Sequence, residues 1–226
     1  GAPRIENLNA YFHFDLDGGE VLIDSVDMSV HFDRLFGQKM FNRELQGQVG
    51  WKLQPENGEL HVYSNAINST NEYGAEGVSQ FHLVTPISRG DFASDFTLIT
   101  GMKNGTADLW PLYLPSNGND SLIQWFGESG ISGELPQVGF VYRGKIRAGS
   151  EYPKTYQLMG DLDEGDLQFA AGWPRVEAIN SRFGLSDRKF YSYSPISQLQ
   201  GVALVNSKVE IGISEESQLF SSALLV

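Results

Sequence analysis

Hydrophobic and polar residues alternate with a period of two along much of the chain, which is typical of strands with one buried and one solvated face. In residues 26–32 the even positions are apolar and the odd positions are polar. Residues 45–53 repeat the alternation, and the Pro-Glu-Asn-Gly sequence of residues 55–58 favours a turn. We therefore predict a hairpin over residues 45–67.

The rest of the chain continues in the same way, with short alternating runs separated by turn residues. These runs predict strands near residues 81–83, 92–99, 138–142, 156–158, 167–169, 179–185, 202–204 and 209–213. One convincing helix is predicted near residues 120–127, because Asp120 offers an N-cap and Gly127 or Gly130 a stop.

Many strands and so little helix predict an all-β fold. Without long amphipathic helices, the strands must cover each other in a closed β-sandwich or barrel, or curl into a trough with an apolar inner face. We expect one continuous unit over residues 1–226, with a soft boundary near residues 105–118. Because the chain begins with Gly1 and not with Met, we expect it to be a segment of a longer protein.

Composition narrows the possible functions. The chain has 16 Lys and Arg against 28 Asp and Glu, a formal net charge of −12, which argues against binding to nucleic-acid phosphates. It has no cysteine, which excludes disulfides, thiol catalysis, iron–sulfur clusters and Cys-liganded zinc. No apolar run is long enough to span a bilayer, and no signal-peptide core follows residues 1–4.

The sequence also gives no positive support for an enzyme. Residues 15–20 and 161–166 are acidic but lack the spacing of a calcium loop, so acidic turns are the favoured interpretation. The four histidines, which lack the spacing of metal ligands, are His13, His31, His61 and His82. No nucleophile elbow, phosphate loop or dinucleotide fingerprint is present. We expect no catalytic residue, no metal and no cofactor.

Four aromatic residues are candidates for the rim or corners of the sheet. Trp110 and Trp173 each precede a proline at a predicted strand end, where proline blocks further pairing and tryptophan covers the rim. Tyr191 and Tyr193 share one strand parity, which suits a sheet rim or a strip on which sugar rings stack.

Several motifs follow one another in a set order. They are the Tyr-Leu-Pro of residues 113–115, the predicted helix with Trp125, the glycine-rich strand at 139–144 and the Gly-Trp-Pro of residues 172–174. This succession resembles the AsmA-like envelope proteins of the YhdP type. The resemblance covers about residues 105–213, whereas residues 20–67 share only the general rhythm of strands.

The resemblance implies an elongated, curled antiparallel β-sheet, a β-taco or repeating groove, in the periplasm of a Gram-negative bacterium. The parent protein would be anchored in the inner membrane and would support phospholipid transport and outer-membrane integrity. Its implied partners are phospholipid acyl chains and adjoining segments of the parent chain. Membrane contact would come through parts of the parent outside this segment.

A lipid groove needs an apolar lining, because each exposed methylene costs about 0.8 kcal/mol. By strand parity we predict the lining residues Val26, Met28, Val30, Phe32, Val49, Trp51, Leu53, Leu158, Leu167, Phe169, Val209, Ile211 and Ile213. A sealed core would use the same side chains, so a closed β-sandwich remains the alternative. That alternative would bind a glycan or protein partner of the cell envelope, or serve only as a structural module.

Overall fold

The computed structural model describes residues 4–33, 36–87, 93–114, 120–146, 154–186, 189–212 and 221–225. Within these residues fourteen strands form one antiparallel sheet. The predicted all-β, antiparallel architecture is therefore confirmed. Ile213, one of the predicted lining residues, lies outside the described residues.

The chain order of the elements is as follows. The strands before the helices are β1 (Arg4–Glu6), β2 (Ala10–Phe14), β3 (Gly18–His31), β4 (Met40–Gln54), β5 (Glu59–Ser64), β6 (Ile67–Asn71), β7 (Glu76–Pro86) and β8 (Ser94–Thr106). A 3-10 turn (Ala107–Leu109) and two helices, α1 (Trp110–Tyr113) and α2 (Asp120–Ser129), follow. The remaining strands are β9 (Ser132–Ile146), β10 (Lys154–Leu167), β11 (Val176–Ser186), β12 (Lys189–Leu199), β13 (Val202–Gly212) and β14 (Ser221–Leu225).

The sheet is an open meander. Its strand order is β1-β3-β4-β5-β7-β8-β9-β10-β11-β12-β13-β14, with β2 paired to β3 and β6 paired to both β4 and β7. Among the described strands neither β1 nor β2 pairs with β14, so the sheet does not close into a barrel. The same residues contain no second sheet, so the alternative β-sandwich is wrong. The predicted hairpin is confirmed, since β4 and β5 flank a turn at residues 55–58.

Cross-strand register divides the sheet into two faces. Residues that pair directly across two strands project to the same side of the sheet. Followed from strand to strand, this pairing places mostly apolar side chains on one side of the sheet from β3 to β13. We call this side the apolar face; its half-buried members include Val21, Val49, Val62, Leu83, Leu98, Tyr142, Phe140, Leu158, Leu185, Phe190 and Val209. The opposite side, the polar face, carries most of the Lys, Arg, Gln and His side chains of the same strands.

The accessible surface shows that the apolar face lacks a full covering layer. A compact protein of 25.0 kDa exposes about 10,000 Å², whereas this chain exposes 14468 Å². The described hydrophobic residues that are fully buried are only Met28, Ala75, Ala107, Leu135, Leu162 and Ile179. The chain is therefore a single β layer with a small sealed core.

Left-handed backbone angles recur near the same end of neighbouring strands. They occur at Asn104 in β8 (φ 56), Gly133 in β9 (φ 126), Glu164 in β10 (φ 49), Ala178 in β11 (φ 50) and Asn206 in β13 (φ 57). The pairings of β10 with β9 and with β11 also shift register here. Bulges of this kind bend a strand and re-aim its side chains. We call these five residues the bend row.

Candidate functional site

The centre of the apolar face is lined by aromatic rings that contact one another across strands. The ring centroids of Phe81 and Phe96 are 6.4 Å apart, and those of Phe96 and Tyr142 are 6.0 Å apart. Burial raises the pKa of the Tyr142 hydroxyl, which donates a hydrogen bond to the carbonyl oxygen of Lys145 at 3.3 Å. The lining is therefore apolar across β7, β8 and β9.

Glycines leave room for two further aromatic rings of the apolar face, those of Phe183 and Trp51, over the neighbouring strand. Gly160 pairs with Phe183, and a Cβ atom at residue 160 would lie 2.7 Å from the Phe183 ring. Gly19 pairs with Trp51 in the same way, and its missing side chain leaves room for the indole. Aromatic side chains packed over glycine stabilise a curved sheet, and a ring that covers a glycine projects less far from the sheet. The lining is thus shallow and continuous.

The helices close the apolar face near the bend row. Tyr113 of α1 and Ile131, which lies between α2 and β9, pack against the buried residues Ala107, Leu135 and Leu162. Burial raises the pKa of the Tyr113 hydroxyl. One end of the strands β8–β11 is therefore sealed by side chains from the helical segment, whereas the middle of the face is not.

An aromatic cluster holds α2 in place. Trp110 stacks on Phe126 with ring centroids 5.4 Å apart, and Trp125 contacts Phe169 at 6.1 Å. The Nε1 of Trp125 donates a hydrogen bond to the carbonyl oxygen of Phe169 at 2.8 Å, and Phe169 contacts Trp173 at 5.9 Å. We call these five residues the aromatic cap.

We expect Trp125→Phe to lower the free energy of unfolding by about 1 kcal/mol, because it removes one partly buried hydrogen bond but keeps the aromatic contacts. Trp173→Phe is the matched control, since the Trp173 side chain is 48% exposed. Urea unfolding followed by circular dichroism measures both variants. Equal losses in the two variants would contradict a specific role for the Trp125 hydrogen bond.

The structure places several predicted lining residues together on the apolar face. Val49, Trp51 and Leu53 lie there in β4, and Leu158 pairs with both Phe140 and Leu185. Val209 pairs with Ser192 on the same side, and the backbone of Ile211 pairs with that of Phe190.

The parity prediction for β3 needs a correction. Val26 is 65% exposed and pairs with Glu44 on the polar face, whereas Met28 is 3% exposed. The left-handed Asp27 (φ 52) between them interrupts the alternation. Val30 and Phe32 are half-buried, and Phe32 lies beyond the end of the strand.

The sequence prediction did not include two residues of β3 that lie on the apolar face, Val21 and Ile23. They pair with Val49 and Gly47 on the apolar face. The run Val21-Leu22-Ile23 is apolar at every position, so parity within it is ambiguous. The signal that could have found them was the clear alternation of the partner strand β4.

Two further predicted lining residues belong to the capped end. Leu167 is the last residue of β10 and packs against the buried cluster, and Phe169 lies beyond the strand in the aromatic cap. The predicted strand over residues 167–169 is wrong, because β10 ends at Leu167 after two register shifts. Alternation cannot be extended through such shifts.

The predicted rim aromatics divide into two groups. Trp110 and Trp173 lie in the aromatic cap. Tyr191 and Tyr193 lie on the polar face, where Tyr191 packs over Gly184 and the Tyr193 hydroxyl hydrogen-bonds Asn206 at 3.0 Å. The two tyrosines therefore contact their own sheet.

The polar face is held by side-chain hydrogen bonds and ion pairs. The Arg182 guanidinium donates to Asp161 at 2.8 Å, and Gln137 donates to the same carboxylate at 2.7 Å. These hydrogen bonds, the one from Arg182 above all, hold the pKa of Asp161 below its usual value. Within the described residues no group of three or more His, Cys, Asp or Glu side chains could hold a metal ion.

Comparison with known protein families gives a match. The family model described as YhdP protein matches residues 1–218. No curated protein and no solved structure matches the chain. Among the described residues, no helix combines the length and the apolar character that crossing a membrane requires.

Proposed function

The chain belongs to the YhdP protein family, an envelope protein family, and from this membership we propose that it is a non-enzymatic segment of a groove that shelters phospholipid acyl chains. The proposal includes a periplasmic location and a parent protein that supports phospholipid transport between the inner and outer membranes. Adjoining segments of the parent would continue the groove.

The observation that carries the proposal is the half-buried state of the apolar face. Large apolar side chains run from β3 to β13 with one parity, and the described residues provide no second sheet to cover them. A wide apolar face without a covering layer favours the binding of an apolar partner. In the part of the chain that the structure describes, the end near the bend row is sealed by α1 and the aromatic cap.

The chemistry of the lining fits acyl chains. A methylene removed from water contributes about 0.8 kcal/mol, so sheltering a sixteen-carbon chain is worth roughly 12 kcal/mol. Contacts between aliphatic chains and Leu, Val or Phe side chains have no preferred direction, so a chain can slide along the face without breaking hydrogen bonds. The headgroup would stay outside in water.

Native mass spectrometry tests the proposal. We expect the chain to form adducts with dipalmitoyl phosphatidylethanolamine and none with glycerophosphoethanolamine, which has the same headgroup without acyl chains. The reason is that the apolar face offers burial to methylenes and few charged partners to a headgroup. Adducts with both compounds, or with neither, would contradict an acyl-chain groove.

A further inference from the structure

Two histidines meet on the polar face, on the side of the sheet opposite to the proposed groove. His61 of β5 and His82 of β7 are diagonal neighbours, since Tyr63 pairs with His82 and His61 pairs with Val84. The Nδ1 of His61 lies 3.2 Å from the Nε2 of His82, and the ring centroids are 5.4 Å apart. Both rings line a shallow depression of the surface.

A carboxylate fixes the orientation of one of these rings. The Nε2 of His61 lies 3.2 Å from a carboxylate oxygen of Glu59. An ionised carboxylate only accepts hydrogen bonds, so the neutral His61 ring carries its proton on Nε2 and donates it to Glu59. The lone pair of His61 then lies on Nδ1, directed at His82. This carboxylate–histidine arrangement is the one that commonly orients metal-binding histidines.

The separation of the two nitrogen atoms matches that of two ligands on one metal ion. In a tetrahedral site with metal–nitrogen bonds of about 2.0–2.1 Å, neighbouring ligand nitrogens are roughly 3.3 Å apart. The observed distance is 3.2 Å. When both rings rotate so that these nitrogen lone pairs converge, one ion can bind both rings with little movement of β5 or β7.

We propose that His61 and His82 bind one divalent transition-metal ion, of the Zn²⁺ or Cu²⁺ class, with Glu59 as the residue that orients His61. Imidazole nitrogen suits these ions, and water completes the coordination. Because Nδ1 of His61 carries the lone pair, the proton between the two rings belongs to Nε2 of His82. When the ion binds Nε2, this proton is transferred through water to Nδ1 of the same ring, so binding to the neutral pair releases no net proton. The ion links β5 to β7 on the outer side of the sheet.

The neighbouring charges predict how the affinity can be changed. Glu59 carries a negative charge beside His61, which favours a cation, whereas Lys52 pairs directly with His61 on the same face and opposes it. Removing the Lys52 charge should therefore tighten binding, and removing the Glu59 charge should weaken it.

Isothermal titration with ZnCl₂ at pH 7.5 in a non-chelating buffer tests the site, with CuSO₄ as a second probe. We expect one saturable site that is lost in His61→Ala and His82→Gln and is kept in the matched control His13→Ala. Glu59→Gln should bind at least about tenfold more weakly, and Lys52→Gln more tightly. Nitrogen NMR should show a zinc-dependent shift at Nδ1 of His61.

Circular dichroism checks that each variant keeps its β signal. Absence of saturable binding at millimolar zinc would overturn the proposal. So would unchanged binding in His61→Ala, or an equal loss in His13→Ala, which would indicate nonspecific binding to surface histidines. The test does not depend on lipid, because the histidines lie on the opposite face from the proposed groove.

Discussion

Leu158→Asp is expected to abolish phospholipid adducts in native mass spectra, whereas Met159→Asp is expected to keep them. Leu158 lies on the apolar face between Phe140 and Leu185, so a carboxylate there would have to lose its water when an acyl chain covers it. Isolated burial of a charge is far more costly than the contribution of a few methylenes. Met159 is the adjacent residue, projects to the opposite face and is 62% exposed.

The two variants distinguish an effect of position on the apolar face from an effect of charge, since both add one negative charge and their positions are adjacent. Leu158→Ala shortens the side chain without adding a charge, and we expect it to form phospholipid adducts of lower abundance. It provides a second test of the same position in case Leu158→Asp does not fold. Thermal unfolding and circular dichroism report on folding. If Leu158→Asp is folded and still forms adducts, the acyl chains do not lie on the apolar face. If Met159→Asp loses adducts equally, charge alone explains the effect.

The sequence could predict the class of fold because the alternation of side chains directly reflects the pleat of a strand. Residues 45–53 illustrate this, since Val49, Trp51 and Leu53 lie where parity placed them. An open sheet could not be distinguished from a sealed sandwich on the same grounds, because both bury one side of each strand. Only the pairing order and the exposed surface separate the two.

The errors in the lining have a common physical cause. Parity holds only while the backbone stays in the β region, and one left-handed residue, Asp27, separates the exposed Val26 from the buried Met28. Register shifts in β10 also interrupt the alternation before Phe169, which lies in the aromatic cap. An Asp or Asn inside a strand is compatible with a left-handed conformation but does not require it, so the residue type alone could not predict the interruption.

The histidine pair was hidden for another reason. His61 and His82 are far apart along the chain, and their approach depends on β5 being adjacent to β7 with β6 displaced beside it. Metal-ligand spacing along a sequence detects ligands on one helix or one loop. It cannot detect ligands on two strands whose register is set by the whole sheet.

Gly133→Ala in β9 is expected to be strongly destabilising. Gly133 has a φ of 126°, and an added Cβ would lie 2.7 Å from the Cα of Gly165 and 2.9 Å from the carbonyl oxygen of Asp163. These are backbone atoms, so they cannot swing aside as a side chain can. Strain at such a conformation costs about 1–3 kcal/mol, and the steric overlap adds to it, so we expect a loss of about 3 kcal/mol in the free energy of unfolding.

Gly139→Ala is the matched control because it lies in the same strand and no atom stands within 4 Å of its added Cβ. Its effect should stay within about 0.5 kcal/mol. Urea unfolding with comparison of midpoints and slopes measures both. Equal effects would show that position 133 tolerates a side chain and that the curvature near Leu162 does not depend on Gly133. A selective loss in Gly133→Ala would establish that the close approach of β9 and β10 at the bend row supports the small sealed core, on which the cap at this end of the apolar face rests.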